Sequence, residues 1–592
     1  MKPKPISLPP LSRTQKVMLT TIMLLAMAVR GWGIDFGLPY IYHPDEPNYV
    51  RTAINMVKSG DLHPHFFNFP SFLFYANALT YEACYRIGKL IGVLESKNDL
   101  AAPQINVMAS GITHSPWTFV VGRLITMLLG LATVWLVYLA ARNLCADHPT
   151  AMLAALFAAL SPTAAVHSHF ITPDVPQTFW ITLAFWGAIK VYREGRWMDY
   201  LLAGVAVGAA ASTKYHGALA VIILLLAHLL RYGNNPDALF APQLYLALAA
   251  GIGAFFVISP YAWLDFEAFW RGLTYEGKHY ARGHLGMEGN TPSWYLAYLW
   301  RIEGPVIVLA LLEIIRNVFR RRETLLTAIF PISFYLFINQ FTIRNDRTLI
   351  PILSFVAILA ARWLTSHWRE RPGRTEYVVL LGATAWLLTL SIVLPAAGLI
   401  KTDFYLYHPD SAITNRSAWL PVGWFLGGLL IVLALQLPAT VKRPHPAWHI
   451  AESIGIALIG LAAVAWPLAQ TLRADWELTT VDSRETARVW IHENLPAGAR
   501  IAVESYAPYV DPDRFWVEGV GRMIEHDAEW YLDRHVEYLV FSQRMFMRFY
   551  RDPEMYSKQI EQYERLFNRF ILLKTLTDGG YEVRIYKTGI YD

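Results

Sequence analysis

About thirteen apolar segments recur along this 592-residue chain, most of them long enough to cross a bilayer. A bilayer core takes roughly 20 helical residues. Inside it every backbone polar group must find its partner within the segment or bundle. A chain built this way is expected to fold as a bundle of membrane helices. The segments lie at about 17–29, 117–140, 151–168, 175–192, 199–213, 216–231, 241–259, 296–315, 324–341, 348–364, 376–399, 418–438 and 448–470. Charged residues make up only 16% of the chain, against about a quarter in soluble domains. The first run follows Lys2, Lys4, Arg13 and Lys16, lacks a small-residue cleavage site, and reads as an uncleaved first helix.

Orientation follows from Lys and Arg in the short loops, which favour the cytoplasmic side. With the N-terminus inside, inner loops hold Arg142, Lys190, Arg193, Arg196, Arg231, Arg316, Arg320 to Arg322, Arg369, Arg371, Arg374, Lys442 and Arg443. Outer short loops hold only Lys214, Arg344, Arg347, Lys401 and Arg416. An odd number of spans and an exterior C-terminus are expected, in a multi-pass protein of the inner or plasma membrane. The net charge of +5 is accounted for by this topology and calls for no nucleic acid. Cys84 and Cys145 fall on opposite sides and are expected as free thiols.

Three outer segments are more than connectors. In the first, about 35–116, "EPNYVRTAINMVKSG" reads as a short helix with Asp45 near its start and Gly60 past its end. "SFLFYANALTYEACYRIGKLIGVL" reads as an amphipathic helix lying along the interface. The second, about 260–295, reads as a long loop containing "YEGKHYARGHLGMEGNTPSW". The third is the tail from about 471, where helix-like and strand-like stretches alternate ("VEYLVFS", "FILLKTL", "YEVRIYK"). The expected fold class is therefore mainly α. It comprises a polytopic membrane domain at 1–470, including the first external loop, and a small exterior α/β domain at 471–592.

Unusual polar residues gather on the exterior side. They come from "IYHPDEPNYV", "HSHFITPDVP", "STKYHG", "YEGKHYARGH" and "FTIRNDRTLIP", five stretches far apart in sequence. Intramembrane charge costs about 2.5–3.5 kcal/mol per residue on insertion scales, so this clustering asks for a reason. Taken singly, each residue has an ordinary reading. Asp45 suits a helix cap, and Asp174 in "TPDVP" suits a capped helix start with proline in its first turn. His167 and His169 suit interface packing, Lys214 suits snorkelling, and Arg344 and Arg347 suit a local pair with Asp346. Metal binding stays open, because His43, Asp45, Glu46, His63 and His65 offer ligands, yet "HPDE" and "HPH" match no compact zinc signature. No cofactor is required by the sequence. No Walker loop, dinucleotide fingerprint or nucleophile elbow is present, so an exterior site would draw an activated substrate from a lipid.

A first span followed by "PDEPNYVRTA" resembles the Asp-Glu motif that opens the first external loop of GT-C glycosyltransferases. "FNFPSFLFY", "SPTAAVHSHFITPDVPQTFW", "ASTKYHGALA" and "RNDRTLIPILSFVAILAA" resemble later motifs in the same order and on the same side. The likeness is to the family 39 type, with protein O-mannosyltransferases and lipid A aminoarabinose transferases. It implies a polyprenyl-phosphate sugar donor, membrane lipids as surroundings, and a lipid, glycan or protein acceptor outside the cytoplasm. It implies catalytic carboxylates at Asp45, with Glu46 in reserve, and Asp174 opposite. Lys214, Arg344 and Arg347 would meet the donor phosphate. His43, His65, His169, Tyr215, His216, His279 and His284 are candidates for sugar or acceptor contact. An inserted β-trefoil is absent from the sequence, which weakens the case for a protein acceptor. The competing readings are a transporter or flippase of lipid-linked intermediates, which would place polar groups at mid-membrane depth, and a non-catalytic assembly protein displaying the tail.

Overall fold

The computed structural model describes residues 9–233, 235–369 and 446–589, with short pieces 380–382, 384–385 and 426–430 between them. Most of the expected segments at 376–399 and 418–438 lie outside the described residues. Within the described residues the chain is mainly helical. Four helices are long and apolar enough to cross a membrane: Pro116–Cys145, Tyr215–Tyr232, Asp346–Ser366 and Ile454–Asn494. A fifth span forms if His148–Leu160 and Pro162–His169, bent by 58°, count as one. The bend falls at Ser161-Pro162, where proline cannot continue the hydrogen-bond ladder. The segment expected at 296–315 is broken too, into Thr291–Ile302 and Pro305–Asn317. Gly304 turns the chain there with φ +60°, a conformation in which a Cβ would strike Trp466.

The bundle packs tightly around the Asp346–Ser366 span, whose apolar window is 94% buried. Helices Trp197–Thr213 and Pro242–Ile258 approach through small residues. A Cβ on Gly204 would sit 2.1 Å from the Ala247 carbonyl oxygen, and one on Gly208 2.1 Å from that of Gly251. Such closeness lets dispersion hold two apolar helices where no hydrophobic force acts between them.

The first external loop holds the expected helices, Glu46–Ser59 and Phe72–Leu90. On the second, Leu79, Ile87 and Leu90 are exposed, as an interfacial helix requires. Three short antiparallel strands complete the loop, in the order β1 (Tyr40–Ile41), β3 (Ser110–Ile112), β2 (Gln104–Val107). The stretch at 260–295 differs from the expected loop. It contains the helix Phe266–Arg282, whose interior Gly272 and Gly277 lower its helix propensity.

The last long helix, Pro446–Thr479, runs nine residues past the expected end of its apolar segment. A five-stranded sheet domain follows, in the order β5 (Trp516–Val520), β4 (Arg500–Glu504), β6 (Tyr538–Ser542), β8 (Val583–Lys587), β7 (Ile571–Leu576). Strands β5, β4 and β6 are parallel, while β8 and β7 run antiparallel. The first external loop is tied to this domain. Asn106 Nδ2 donates to the Val510 carbonyl (2.6 Å), Ser110 Oγ to that of Pro508 (2.9 Å), and the Tyr506 N–H to that of Met108 (2.9 Å).

Candidate functional site

Asp45 occupies the N-cap position of the helix Glu46–Ser59, between Pro44 and Pro47, yet its side chain makes no capping hydrogen bond. Its carboxylate instead takes the guanidinium of Arg347, 302 residues away. Arg347 also faces Asp174, Nε to Oδ2 at 3.8 Å, and Asp174 Oδ1 accepts from Lys214 Nζ at 2.8 Å. Four of the five exterior stretches thus meet in one alternating chain of charge: Asp45, Arg347, Asp174, Lys214. Burial alone would raise the Asp45 carboxyl, but the Arg347 guanidinium beside it holds it down to about 2. It is ionised at any physiological pH.

A cavity of about 540 Å³ opens beside this chain. Its bundle-side wall includes His43, Asp45, Asn48, Arg344, Asn345, Asp346 and Arg347. The helix Phe266–Arg282 supplies Tyr275, Glu276, His279 and Tyr280, and the following turn supplies His284. The fifth stretch therefore joins the other four at one place. His43 lies flat against Phe170, ring centroids 4.7 Å apart, and burial pushes it down to about 4, so it is neutral. His284 is likewise lowered to about 4, by burial and then by Arg548. Glu276 moves the other way. Burial outweighs the attraction of Lys214 and Arg347 and brings its carboxyl to about 7.

The structure separates the adjacent pair Asp45 and Glu46. Glu46 is fully buried and points away from the cavity. It accepts from Arg123 Nε and Nη2, both at 2.8 Å, and from the Ile171 N–H at 3.1 Å. Arg123 in turn donates to the carbonyls of Ile34 and Phe36, each at 2.9 Å. Glu46 is therefore a clamp between the first loop and the bundle, and the expectation of a reserve base at that position is corrected.

Other expected contacts are corrected for similar reasons. His65 is exposed and bonds Asp61 (2.9 Å), outside the cavity. His169 is enclosed by the carbonyls of Ala165, Val166 and Trp32. Tyr215 donates to the Phe67 carbonyl (2.7 Å), and His216 sits against Gln177 Nε2 (3.1 Å), and neither lines the cavity. Asp174 and Lys214 are buried and reach the cavity only through Arg347. Asp346 keeps a local contact, its Oδ1 accepting from the Arg347 backbone N–H at 2.8 Å. Its carboxylate meets His167 Nε2 at 3.3 Å and accepts from Tyr298 at 3.4 Å. Among the described residues no group of three or more His, Cys, Asp or Glu side chains is placed to hold a metal ion.

The opposite wall went unseen in the sequence. Tyr506, Arg544, Arg548, Arg551, Asp552 and Tyr581 all belong to the sheet domain, 159 residues or more beyond Arg347, the last of the other contributors. The available signal was the spacing of Arg544, Arg548 and Arg551, which sets three cations on one helical face.

Residues 103–268 match the family model of dolichyl-phosphate-mannose-protein mannosyltransferases. An uncharacterized protein of Aquifex aeolicus (strain VF5) is 27% identical over 186 residues, 30% of this chain and 31% of that protein. The match thus spans about a third of the relative's length. ArnT from Cupriavidus metallidurans in the apo state is 15% identical over 98% of both chains, with a TM-score of 0.47. The same protein bound to undecaprenyl phosphate gives 16%, 98% of this chain, 100% of that one, and 0.46. The Archaeoglobus fulgidus oligosaccharyltransferase is 14% identical over 98% of this chain and 75% of its own, with a TM-score of 0.48.

Proposed function

We propose that this chain, whose residues 103–268 match the model of dolichyl-phosphate-mannose-protein mannosyltransferases, is an integral-membrane glycosyltransferase of the GT-C type with an exterior site. It moves a sugar from a polyprenyl-phosphate donor to an acceptor hydroxyl outside the cytoplasm. The observation that carries this reading is the pairing of Asp45 with Arg347 at the rim of the cavity, in place of the cap that its position invites. A carboxylate held ionised beside a guanidinium offers the two things the reaction needs. One group takes the proton of the attacking hydroxyl. The other receives the charge that grows on the departing phosphate.

In the proposed step the acceptor oxygen attacks the anomeric carbon from the face opposite the phosphate. The bond from that carbon to the phosphate oxygen breaks, the configuration inverts, and the acceptor proton passes to Asp45. Polyprenyl phosphate leaves as the anion, met by Arg347 and Arg344. Lys214 acts one layer back, compensating Asp174 so that Arg347 stays available to Asp45 and to phosphate. The donor's prenyl chain would lie along the bundle beside the exposed face of Phe72–Leu90. The domain division belongs to this reading as well: a GT-C membrane domain through about residue 470, about thirteen spans, and an exterior α/β domain thereafter.

Purified protein incubated with polyprenyl phosphates carrying labelled sugars tests the proposal. Release of sugar or of lipid phosphate, or transfer to an envelope acceptor, is expected. Movement of intact lipid-linked sugar across a proteoliposome, with no bond broken, would sink the enzyme and favour a flippase.

A further inference from the structure

The sheet domain turns a cationic face to the cavity. In the helix Gln543–Tyr550, Phe546 and Phe549 are buried in the domain core, and Met545 packs against Tyr506 and against Ala109 of the first external loop. Arg544 and Arg548, one turn apart, and Arg551 at the helix end all line the cavity. Two of the guanidiniums are braced by aromatic rings. Arg544 lies 4.8 Å and Arg548 4.9 Å from the centroid of Tyr506, and Arg544 also lies 5.1 Å from that of Tyr581. Arg548 Nε donates to the Arg544 carbonyl at 2.8 Å. Such bracing fixes the planar forks before any ligand arrives, which is how arginine recognises oxyanions well.

Three further features hold this face in place. Tyr506 has φ +68°, a backbone conformation rare for a tyrosine, and its N–H bonds the Met108 carbonyl of the first external loop. Gly286 lets the stem of Arg548 pass, since a Cβ there would lie 2.7 Å from the Arg548 Cβ. The surrounding field is positive. The Tyr506 phenol lies below its ordinary range, because Arg548 and Arg544 together outweigh the burial that would raise it. Among the described residues, one carboxylate of this domain, Asp552, lines the cavity. A membrane-side cation pair, Arg344 and Arg347, already serves the donor phosphate in the function proposed above.

We infer that Arg544, Arg548 and Arg551 form a second, acceptor-side anion subsite, which binds a phosphate or another oxyanion carried by the acceptor. This rests on the glycosyltransferase reading for the word acceptor, but not for the binding of the anion. It makes the sheet domain part of the substrate-recognising machinery. Neutral glycans and unmodified hydroxyl peptides become poor acceptors, while an acceptor with a phosphate near the accepting hydroxyl becomes a good one.

The full chain in detergent, with inorganic pyrophosphate and a synthetic polyprenyl phosphate as probes, tests the inference. Pyrophosphate should bind alongside polyprenyl phosphate without competition. The double variant Arg544→Gln, Arg551→Gln should lose about tenfold or more in pyrophosphate affinity, since charge-assisted contacts are lost, and keep its polyprenyl phosphate affinity. If the two probes exclude each other and the variant loses both, these arginines hold the donor, and the inference falls. It falls equally if the folded variant loses neither. Should the double variant fail to fold, Arg551→Gln alone, at the helix end, must still weaken pyrophosphate binding severalfold. Absence of any sugar release with every donor would remove the glycosyltransferase reading while leaving the pyrophosphate result intact.

Discussion

Two neighbouring carboxylates, Asp45 and Glu46, share one motif, and the fold gives them opposite tasks. Asp45 faces the cavity and makes no cap. Asp45→Asn should therefore leave the helix and the thermal midpoint nearly unchanged, because the side chain caps nothing and Arg347 keeps Asp174 as a counter-charge. Glycosyl transfer should fall about 10²–10⁴-fold with donor affinity retained, as expected for loss of a general base. Parallel assays of transfer and donor binding check this, and full activity would return Asp45 to a structural role. Glu46→Gln should do the reverse. It opens a fully buried pair with Arg123, a loss that typically costs about 3–5 kcal/mol. The expected readout is a large drop in thermal stability, measurable without substrate. The family motif made Asp45 legible, but no spacing could reveal that Arg123, seventy-seven residues on, claims its neighbour.

At the scale of elements, apolar runs were the most legible feature. Each described helix of the bundle overlaps a run read from sequence, because burial against lipid or neighbours demands continuous apolar residues. Helix breaks such as that at Gly304 were missed, since an apolar run keeps its character across a kink. Strand β5 was missed as well, because "WVEGV" is largely exposed and carries too little alternation. The helix Phe266–Arg282 seats on the first loop at Gly272, where a Cβ would lie 2.6 Å from the Phe67 Cβ and 2.8 Å from its carbonyl carbon. Gly272→Ala should lever this wall outward, cost about 1–3 kcal/mol as overpacking does, and raise KM more than it lowers expression. In the sheet domain, Glu504 ends β4 fully buried, accepting from the N–H groups of Met523 and Ser542 and from the Tyr563 hydroxyl. Burial brings its carboxyl to about 7, above the ordinary value near 4.5. The folded domain thus holds a proton that the unfolded chain releases. Glu504 therefore destabilises progressively as pH rises from about 4.5 to about 7, by on the order of 3 kcal/mol in all. Unfolding followed from pH 5 to pH 8 should show this decline, and Glu504→Gln should flatten it.

For the whole molecule, the asymmetry of Lys and Arg predicts that inner loops are reached only from the cytoplasm and the sheet domain only from outside. Cysteine labelling of intact cells checks it, and a tag at Asp592 found in the cytoplasm would overturn the shared exterior site. The cavity joins residues near the start of the chain, His43 and Asp45, to residues near its end, Arg544 and Tyr581. Sequence order could not disclose that closure, because the side chains that make it, Asn106 and Ser110, end on the backbone carbonyls of Val510 and Pro508, which carry no sequence signature. The same closure sets a timetable for biosynthesis. While the ribosome is still making the chain, Asp45 has already emerged, but one wall of its cavity does not yet exist. Under the function proposed above, a nascent chain that meets a lipid-linked sugar lacks the wall that would hold the acceptor, so a half-made copy spends no donor.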